Sequence, residues 1–389
     1  MTALARIGIL GSGTMGLGIA QVAASVGHDV VLVDADAAAL ARAKAQLEKT
    51  IRSLIEKGRL SADAGTALLA RVATTTDVAQ YRGCSLVIEA ITEQLDAKRT
   101  AFARLESVVT DDCILATNTS SLSIAAIAAG CAKPQRVIGA HFFNPAPLMP
   151  LVEVVPGLET DVAVITATCA LITSWGKTVV LAKDTPGFIV NRIARPFYGE
   201  SLRLLEEGVA DIATIDWALR ELGGFRMGPF ELMDLIGHDI NYQVTETVFA
   251  AFYYDPRFKP SITQKRLVEA KRLGRKTGRG FYDHRDGAVK PAPKQDQALG
   301  PVILQRVLGM LINEAADAVH LDIASVADIE LAMTRGVNYP KGLLRWADDI
   351  GIATVVEQLA ALQSEYGEDR YRPHVLLKRM ARTGGRFHG

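Results

Sequence analysis

Apolar positions along this chain change rhythm near residue 185. Upstream they fall in short runs, at Arg6 to Leu10, Val30 to Val33, around Val72, Leu86 to Ile88, Cys113 to Ala116, Val137 to Ala140, Leu151 to Val155 and Thr178 to Leu181. Runs of that length, closed by Gly, Asp, Asn or Ser, predict strands. Helical spacing fills most of the intervals, so strands and helices alternate and the expected sheet is open and mostly parallel. The interval from Asp34 to Val72 is long for a simple crossover. It predicts a helix over Ala37 to Lys57, ended by Gly58, and a second one capped by Ser61, a hairpin reaching out of the sheet. Leu158 to Trp175 predicts the last helix of this half.

Downstream of Asp184-Thr185-Pro186-Gly187 the pattern is helical throughout, with helices expected over Phe188 to Glu207, Ile212 to Leu222 and Leu232 to Phe252. Gly278 to Tyr282 closes this block, and Pro291 to Pro301 reads as a linker. Beyond the linker the chain repeats itself. Val190-Asn191-Arg192 corresponds to Leu304-Gln305-Arg306, Asp211 to Asp216 corresponds to Ser325 to Glu330, and Gly228 corresponds to Gly342. All keep one offset of 114 positions, the step from Asn191 to Gln305. The expected domains are therefore 1–184, 185–285 and, after a linker at 286–301, a second copy of the helical unit at 302–389.

Candidate chemistry lies at the ends of the predicted strands. Arg6 to Leu10 runs into Gly11-Ser12-Gly13-Thr14-Met15-Gly16 and then a helix. In GxGxxG the first Gly permits the tight turn, the second admits a pyrophosphate to the backbone, and the third lets helix pack on strand. The next strand ends in Asp34, where a ribose 2′-hydroxyl would be held and a 2′-phosphate repelled. These signs predict a Rossmann-type α/β domain that binds NAD. Glu89, Glu93, Asn118, Ser120, Ser121 and His141 follow or end other strands, and so converge on the mouth of the cofactor crevice. Val137 to Ala140 ends in His141, and after a Pro- and Asn-rich turn the run Leu151 to Val155 carries Glu153. A carboxylate in an apolar strand is costly without a partner, and His141 is the nearest titratable candidate across the turn. Together they would make a general base with an orienting carboxylate.

Composition narrows the function classes. The 389 residues are 49% hydrophobic, enough for two or three cores, and 43 basic residues balance 43 acidic ones. That balance excludes a polyanion as main partner, so neither nucleic acid nor a charged membrane surface is expected. No apolar run is long enough to span a bilayer. The four cysteines lack metal-site spacing, and they read as core residues of a cytoplasmic protein with no metal.

Taken in order, GSGTMG, EAITEQLDAK, TNTSSLSI, HFFNP, LVEVV, DTPGFIVNR, GPFELMDLIG and GRKTGRGFY make this chain resemble the L-3-hydroxyacyl-CoA dehydrogenases over nearly its whole length. The resemblance implies an NAD-dependent oxidation of (S)-3-hydroxyacyl-CoA, in fatty-acid β-oxidation or phenylacetate catabolism. It implies His141 as base, Glu153 as its partner, and Ser120 and Asn191 completing the catalytic set. It further implies that Gly11, Gly13, Thr14, Met15, Gly16, Asp34, Glu93, Lys98 and Asn118 line the cofactor. Thr50, where a Ser is familiar, and Lys57 would approach coenzyme A. The tail YGEDRYRPHVLLKRM and the duplicated half resemble the members that act on 3-hydroxyadipyl-CoA more than the short 3-hydroxybutyryl-CoA enzymes. A second carboxylate would need a cation in the acyl pocket, and no position of the sequence singles one out. The rival readings are a hydroxyacid dehydrogenase on the same fold, which has no use for the hairpin, and a non-catalytic relative, against which the catalytic set stands. In single-repeat members the helical domain dimerises on its twin. The fused copy is thus expected to be a built-in packing partner without a second active site, and whether the protein also pairs as a homodimer is left open.

Overall fold

The computed structural model describes residues 5–389, which fall into two compact units meeting at Thr185 and Pro186. The first is a three-layer α/β domain. Its eight strands are β1 (Ile7–Leu10), β2 (Val30–Val33), β3 (Val72–Thr75), β4 (Leu86–Glu89), β5 (Ile114–Thr117), β6 (Val137–Phe142), β7 (Leu151–Pro156) and β8 (Thr178–Leu181). They form one sheet in the order β3-β2-β1-β4-β5-β6-β7-β8. The sheet is parallel from β3 to β6, and β7 runs antiparallel to β6 and parallel to β8. Fully buried β2 and β4 explain their unbroken apolar runs. Chain order reverses between β1 and β4, where a doubly wound sheet opens its crevice.

Helix α1 (Thr14–Ser25) follows the glycine turn. The long interval is a helical hairpin of α2 (Ala37–Glu56) and α3 (Ala62–Ala70), capped by Asp36 accepting from the Ala38 N–H and by Ser61 accepting from the Ala64 N–H. Leu40, Ala43, Leu47 and Ile51 are the buried stripe of α2, and Gly65 on α3 leaves just enough room for Ile51 and Ile55. Helices α4 (Leu95–Glu106), α5 (Ile124–Ala128) and α6 (Val162–Ser174) complete the layers. The last starts four residues later than the apolar pattern suggests, and Leu158 is 91% exposed.

The second unit is all-helical, and three of its expected helices are subdivided. The first splits into α7 (Val190–Ile193) and α8 (Arg195–Glu206) ahead of Pro196, which lacks the N–H to continue the ladder. Next comes α9 (Ile212–Trp217), ending in a π turn over Ala218–Leu222. The third divides into α10 (Pro229–Ile236) and α11 (His238–Ala251) at Gly237, whose φ of +100° is open to glycine. Then follow α12 (Ile262–Glu269) and α13 (Leu299–His320), which begins inside the stretch read as linker because Asp296 caps it through the Ala298 and Leu299 N–H groups.

The repeat is visible in three dimensions. Helix α14 (Val326–Leu331) with its π turn, α15 (Leu343–Ile350) and α16 (Ile352–Tyr366) follow α9, α10 and α11 at the same offset, and Gly351 takes Gly237's place with φ +94°. Asp216 accepts from the first N–H groups of α10, and Glu330 does the same for α15. Asp234 ties down Phe281 and Tyr282, and Asp348 ties down Phe387 and His388. The copies are joined by crossed ion pairs. Arg306 of α13 binds buried Glu200 of α8 at 2.6 Å, and Arg192 of α7 binds Asp317 of α13. Helix α17 (Val375–Thr383) ends the unit.

Candidate active site

Gly11 has φ +103° and lies so close to β4's outgoing loop that an added Cβ would stand 2.6 Å from the Ala90 carbonyl. At Gly16 a Cβ would meet the Gly11 carbonyl at 1.8 Å, whereas at Gly13 it would meet nothing within 4 Å. The turn therefore needs its first and third glycines to fold, and the second leaves backbone open to a ligand at the N-terminus of α1. Asp34 stands at the end of β2, accepting from the Ser12 N–H and hydroxyl at 2.8 Å each and from the Asp36 N–H at 3.0 Å. Burial pushes its carboxyl up, but these donors outweigh it and hold the pKa below its ordinary value. Gly11, Asp34, Ala35, Ile91 and Thr100 border a cavity of about 250 Å³. This cradle fits the adenosine half of a dinucleotide.

The ends of β4 and β5 carry a connected acid–base cluster. Glu89, fully buried, accepts from Lys98 Nζ, the Ile91 N–H and the Thr117 hydroxyl, each at 2.7 Å. Lys98, 1% exposed, also reaches Glu93 at 3.3 Å. Glu93 Oε1 in turn collects the hydroxyls of Thr119, Ser120 and Ser121 and the N–H groups of Ser120 and Ser121. Burial raises the Glu93 pKa, but Lys98's charge and the Thr119 and Ser120 donors win and lower it. Asn118 turns its side-chain oxygen to the Phe142 N–H at 2.8 Å, which fixes the end of β5 against β6.

His141 and Glu153 are register partners on β6 and β7. His141 Nδ1 lies 2.6 Å from Glu153 Oε2, with the carboxylate fully buried. A carboxylate can only accept, so the pair places the ring proton on Nδ1. The turn between the strands is held by Lys177, which donates to the carbonyls of Ala146 and Met149 at 2.5 and 2.8 Å. Burial lowers the Lys177 pKa. The first unit thus brings together Gly11, Gly13, Gly16, with Thr14 and Met15 opening α1, and Asp34; then Glu93, Lys98 and Ser120; and His141 with Glu153. Thr50 on α2 donates its hydroxyl to the Gln46 carbonyl, Lys57 ends that helix, and Asn191 lies on α7 in the helical unit. Glu89 and Lys177 were not assigned roles from sequence. An acid nine positions before Lys98 was a legible signal for the first, and nothing local marks the second.

Comparison with known proteins decides the family. The family model for the 3-hydroxyacyl-CoA dehydrogenase NAD binding domain matches residues 6–185, and that for the C-terminal domain matches twice, at 187–284 and 302–387. The chain belongs to the 3-hydroxyacyl-CoA dehydrogenase family. It is an oxidoreductase of that family, with NAD as cofactor. It is 40% identical to 3-hydroxyadipyl-CoA dehydrogenase of Escherichia coli K12, covering 96% of this chain and 97% of the relative. A crystal structure of 3-hydroxybutyryl-CoA dehydrogenase from Escherichia coli K12 matches with a TM-score of 0.92 at 39% identity, over 98% of both chains. The 3-hydroxybutyryl-CoA dehydrogenase of Bradyrhizobium diazoefficiens is 39% identical and spans 74% of this chain against 97% of its own length. No helix among the described residues is long and apolar enough to cross a membrane.

Proposed function

We propose that this protein catalyses the reversible oxidation of an (S)-3-hydroxyacyl-CoA to the 3-oxoacyl-CoA, with His141 as the general base. The observation that carries this reading is the buried 2.6 Å pair of His141 Nδ1 and Glu153, in the same domain as the dinucleotide cradle. Oxidising a secondary alcohol requires its hydroxyl proton to leave as a hydride departs from carbon. NAD, when bound, supplies the hydride acceptor. His141 Nε2 takes the hydroxyl proton, and Glu153 holds the ring and stabilises the imidazolium. Ser120, oriented by Glu93, and Asn191 hydrogen-bond the reacting oxygen or the imidazole. In reduction the imidazolium returns the proton to the developing alkoxide.

Gly11, Gly13, Thr14, Met15 and Gly16 would hold the pyrophosphate, Asp34 the ribose, and Glu93, Lys98 and Asn118 the nicotinamide side of the cofactor. Coenzyme A is proposed to lie along the hairpin, with Thr50 and Lys57 facing it. The acyl group is proposed to be dicarboxylic, of the 3-hydroxyadipyl type, which the 40% identity over 96% of the chain to the enzyme of that name supports. A cytoplasmic location is part of the same reading.

The test is His141→Gln, which keeps a polar side chain of similar reach. NADH oxidation with acetoacetyl-CoA should fall ~10²- to 10⁴-fold, the usual cost of losing a general base. NADH affinity, read by fluorescence titration, should stay within a factor of about three, well below a tenfold step in binding free energy. Unchanged turnover would remove His141 from the mechanism, and a coenzyme A chase that fails to compete with substrate would remove the thioester.

A further inference from the structure

Six arginines are buried among the described residues: Arg136, Arg192, Arg195, Arg203, Arg306 and Arg370. Five of them face carboxylates, namely Glu106, Asp317, Glu200, Glu200 with Glu207, and Glu368. Arg195, 6% exposed at the first turn of α8, has no ion pair among the described residues. Its hydrogen bond goes to the Thr245 hydroxyl at 3.2 Å, a neutral acceptor whose own proton goes to the Asn241 carbonyl at 3.0 Å. The guanidinium lies 5.0 Å from the centre of the Tyr198 ring, and its Nε is buried without a partner. So is the hydroxyl of nearby Tyr339. Burial works against the Arg195 charge, and no carboxylate among the described residues answers it. A buried cation left uncompensated is expensive, so something must repay it.

Packing does not require this arrangement. In the second copy the positions of Arg195 and Thr245, 114 residues on, are Gly309 and Leu359. There a Cβ on Gly309 would stand 3.7 Å from the Leu359 side chain, and Leu359 is 1% exposed. The same slot between the same two helices is closed by apolar contact in one repeat and holds a lone cation in the other. Arg195 also follows Asn191 by four positions, and Ala194 between α7 and α8 keeps αR backbone, so the two lie roughly one helical turn, about 6 Å, apart along the chain. A six-carbon diacid thioester whose C3 oxygen meets Asn191 carries its free carboxylate a comparable distance away.

We infer that Arg195, assisted by the hydroxyls of Tyr198 and Tyr339, receives the distal carboxylate of a dicarboxylic 3-hydroxyacyl-CoA. The guanidinium offers paired N–H donors that match a carboxylate's two oxygens, and no acid of the protein competes for them. This rests on the dicarboxylic reading of the substrate given above.

The experiment compares kcat/KM for (S)-3-hydroxyadipyl-CoA with that for (S)-3-hydroxyhexanoyl-CoA, which has the same chain length without the charge. The unaltered enzyme should favour the diacid. In Arg195→Met the diacid-to-monoacid ratio should fall about 100-fold, the scale of removing one partner of a buried charge pair. Arg195→Lys should keep part of it. The double variant Arg195→Gly/Thr245→Leu, which installs the second repeat's own pair, should lose the ratio while remaining folded. If the unaltered enzyme shows no preference for the diacid, the substrate reading falls and this assignment with it. If the preference is present and survives in Arg195→Met or in the double variant, the assignment to Arg195 falls alone. Equal losses on both substrates would likewise overturn it, because they would mark Arg195 as structural.

Discussion

Glu153 sits mid-strand with apolar neighbours on either side, and it is tolerable there because β6 presents His141 at the opposing register position. Replacing it by Gln keeps a hydrogen-bond partner but removes the charge that stabilises an imidazolium. Glu153→Gln should therefore lower kcat on the order of 10²-fold with little change in KM, a split that steady-state kinetics with acetoacetyl-CoA would read. Glu93 makes a different prediction. Its pKa is lowered in the folded chain from an ordinary 4.5, so the folded state binds fewer protons there than the unfolded one. That stability is present at neutral pH and is lost as pH falls through the lowered folded value. Acid unfolding of the cofactor-free protein should begin at higher pH than that of Glu93→Gln relative to each protein's neutral stability. Parallel acid curves would contradict the Lys98 and Ser120 contacts as its cause. At this scale the His–Glu pair and the glycines could be read in advance, because each violates a local rule. Lys177 and Arg195 could not be read, because a buried charge announces itself only when the chain that surrounds it is known.

The glycine turn shows how much an element's sequence can carry. Its three glycines answer to different constraints, two steric and internal, one open to a ligand. Gly16→Ala should destabilise the first domain by about 1 to 3 kcal/mol, as overpacking does. Gly13→Ala should leave its unfolding within about 0.5 kcal/mol, because Gly13 has extended backbone and empty space beside it. Only the latter should chiefly weaken NADH binding, and calorimetry with and without NADH separates the two. Helix boundaries were less legible. Pro196 and Gly237 interrupt stretches whose apolar spacing is continuous, and Leu158 looks like helix although it precedes the first turn of α6. Periodicity records which face is buried and carries no account of where the backbone must bend. The strand order was also beyond sequence, but the antiparallel step at β7 was implied by a turn too short for any crossover.

For the whole molecule, the second helical copy is proposed as a packing partner for the first. Arg306 and Tyr371 both bind Glu200, and Arg306 also binds Glu207. Ending the chain after Asp286 would strip these donors from a fully buried carboxylate and uncover apolar positions that Ile303, Val307 and Leu311 of α13 otherwise pack among. The truncated protein should aggregate or form a new dimer, as size-exclusion chromatography with light scattering would reveal. Full-length protein should bind one NAD per chain, since no second glycine turn or His–Glu strand pair follows residue 185. A soluble, equally stable truncated monomer would end the packing role.

The segment 284–298 has neither helix nor strand, and it is fastened along the first copy by Lys290 to Glu231 at 3.1 Å and by the Lys294 N–H to the Thr214 hydroxyl at 2.9 Å. Two separate chains that pair must find each other, and dilution parts them. Two halves on one strap meet at an effective concentration of roughly millimolar, whatever the amount of protein in solution. Assembly of the helical unit thereby becomes a first-order event, and its half-time does not depend on how much of the protein is made. Specific activity should then stay flat as the enzyme is diluted to nanomolar levels, where a single-repeat enzyme that relied on a twin would lose it.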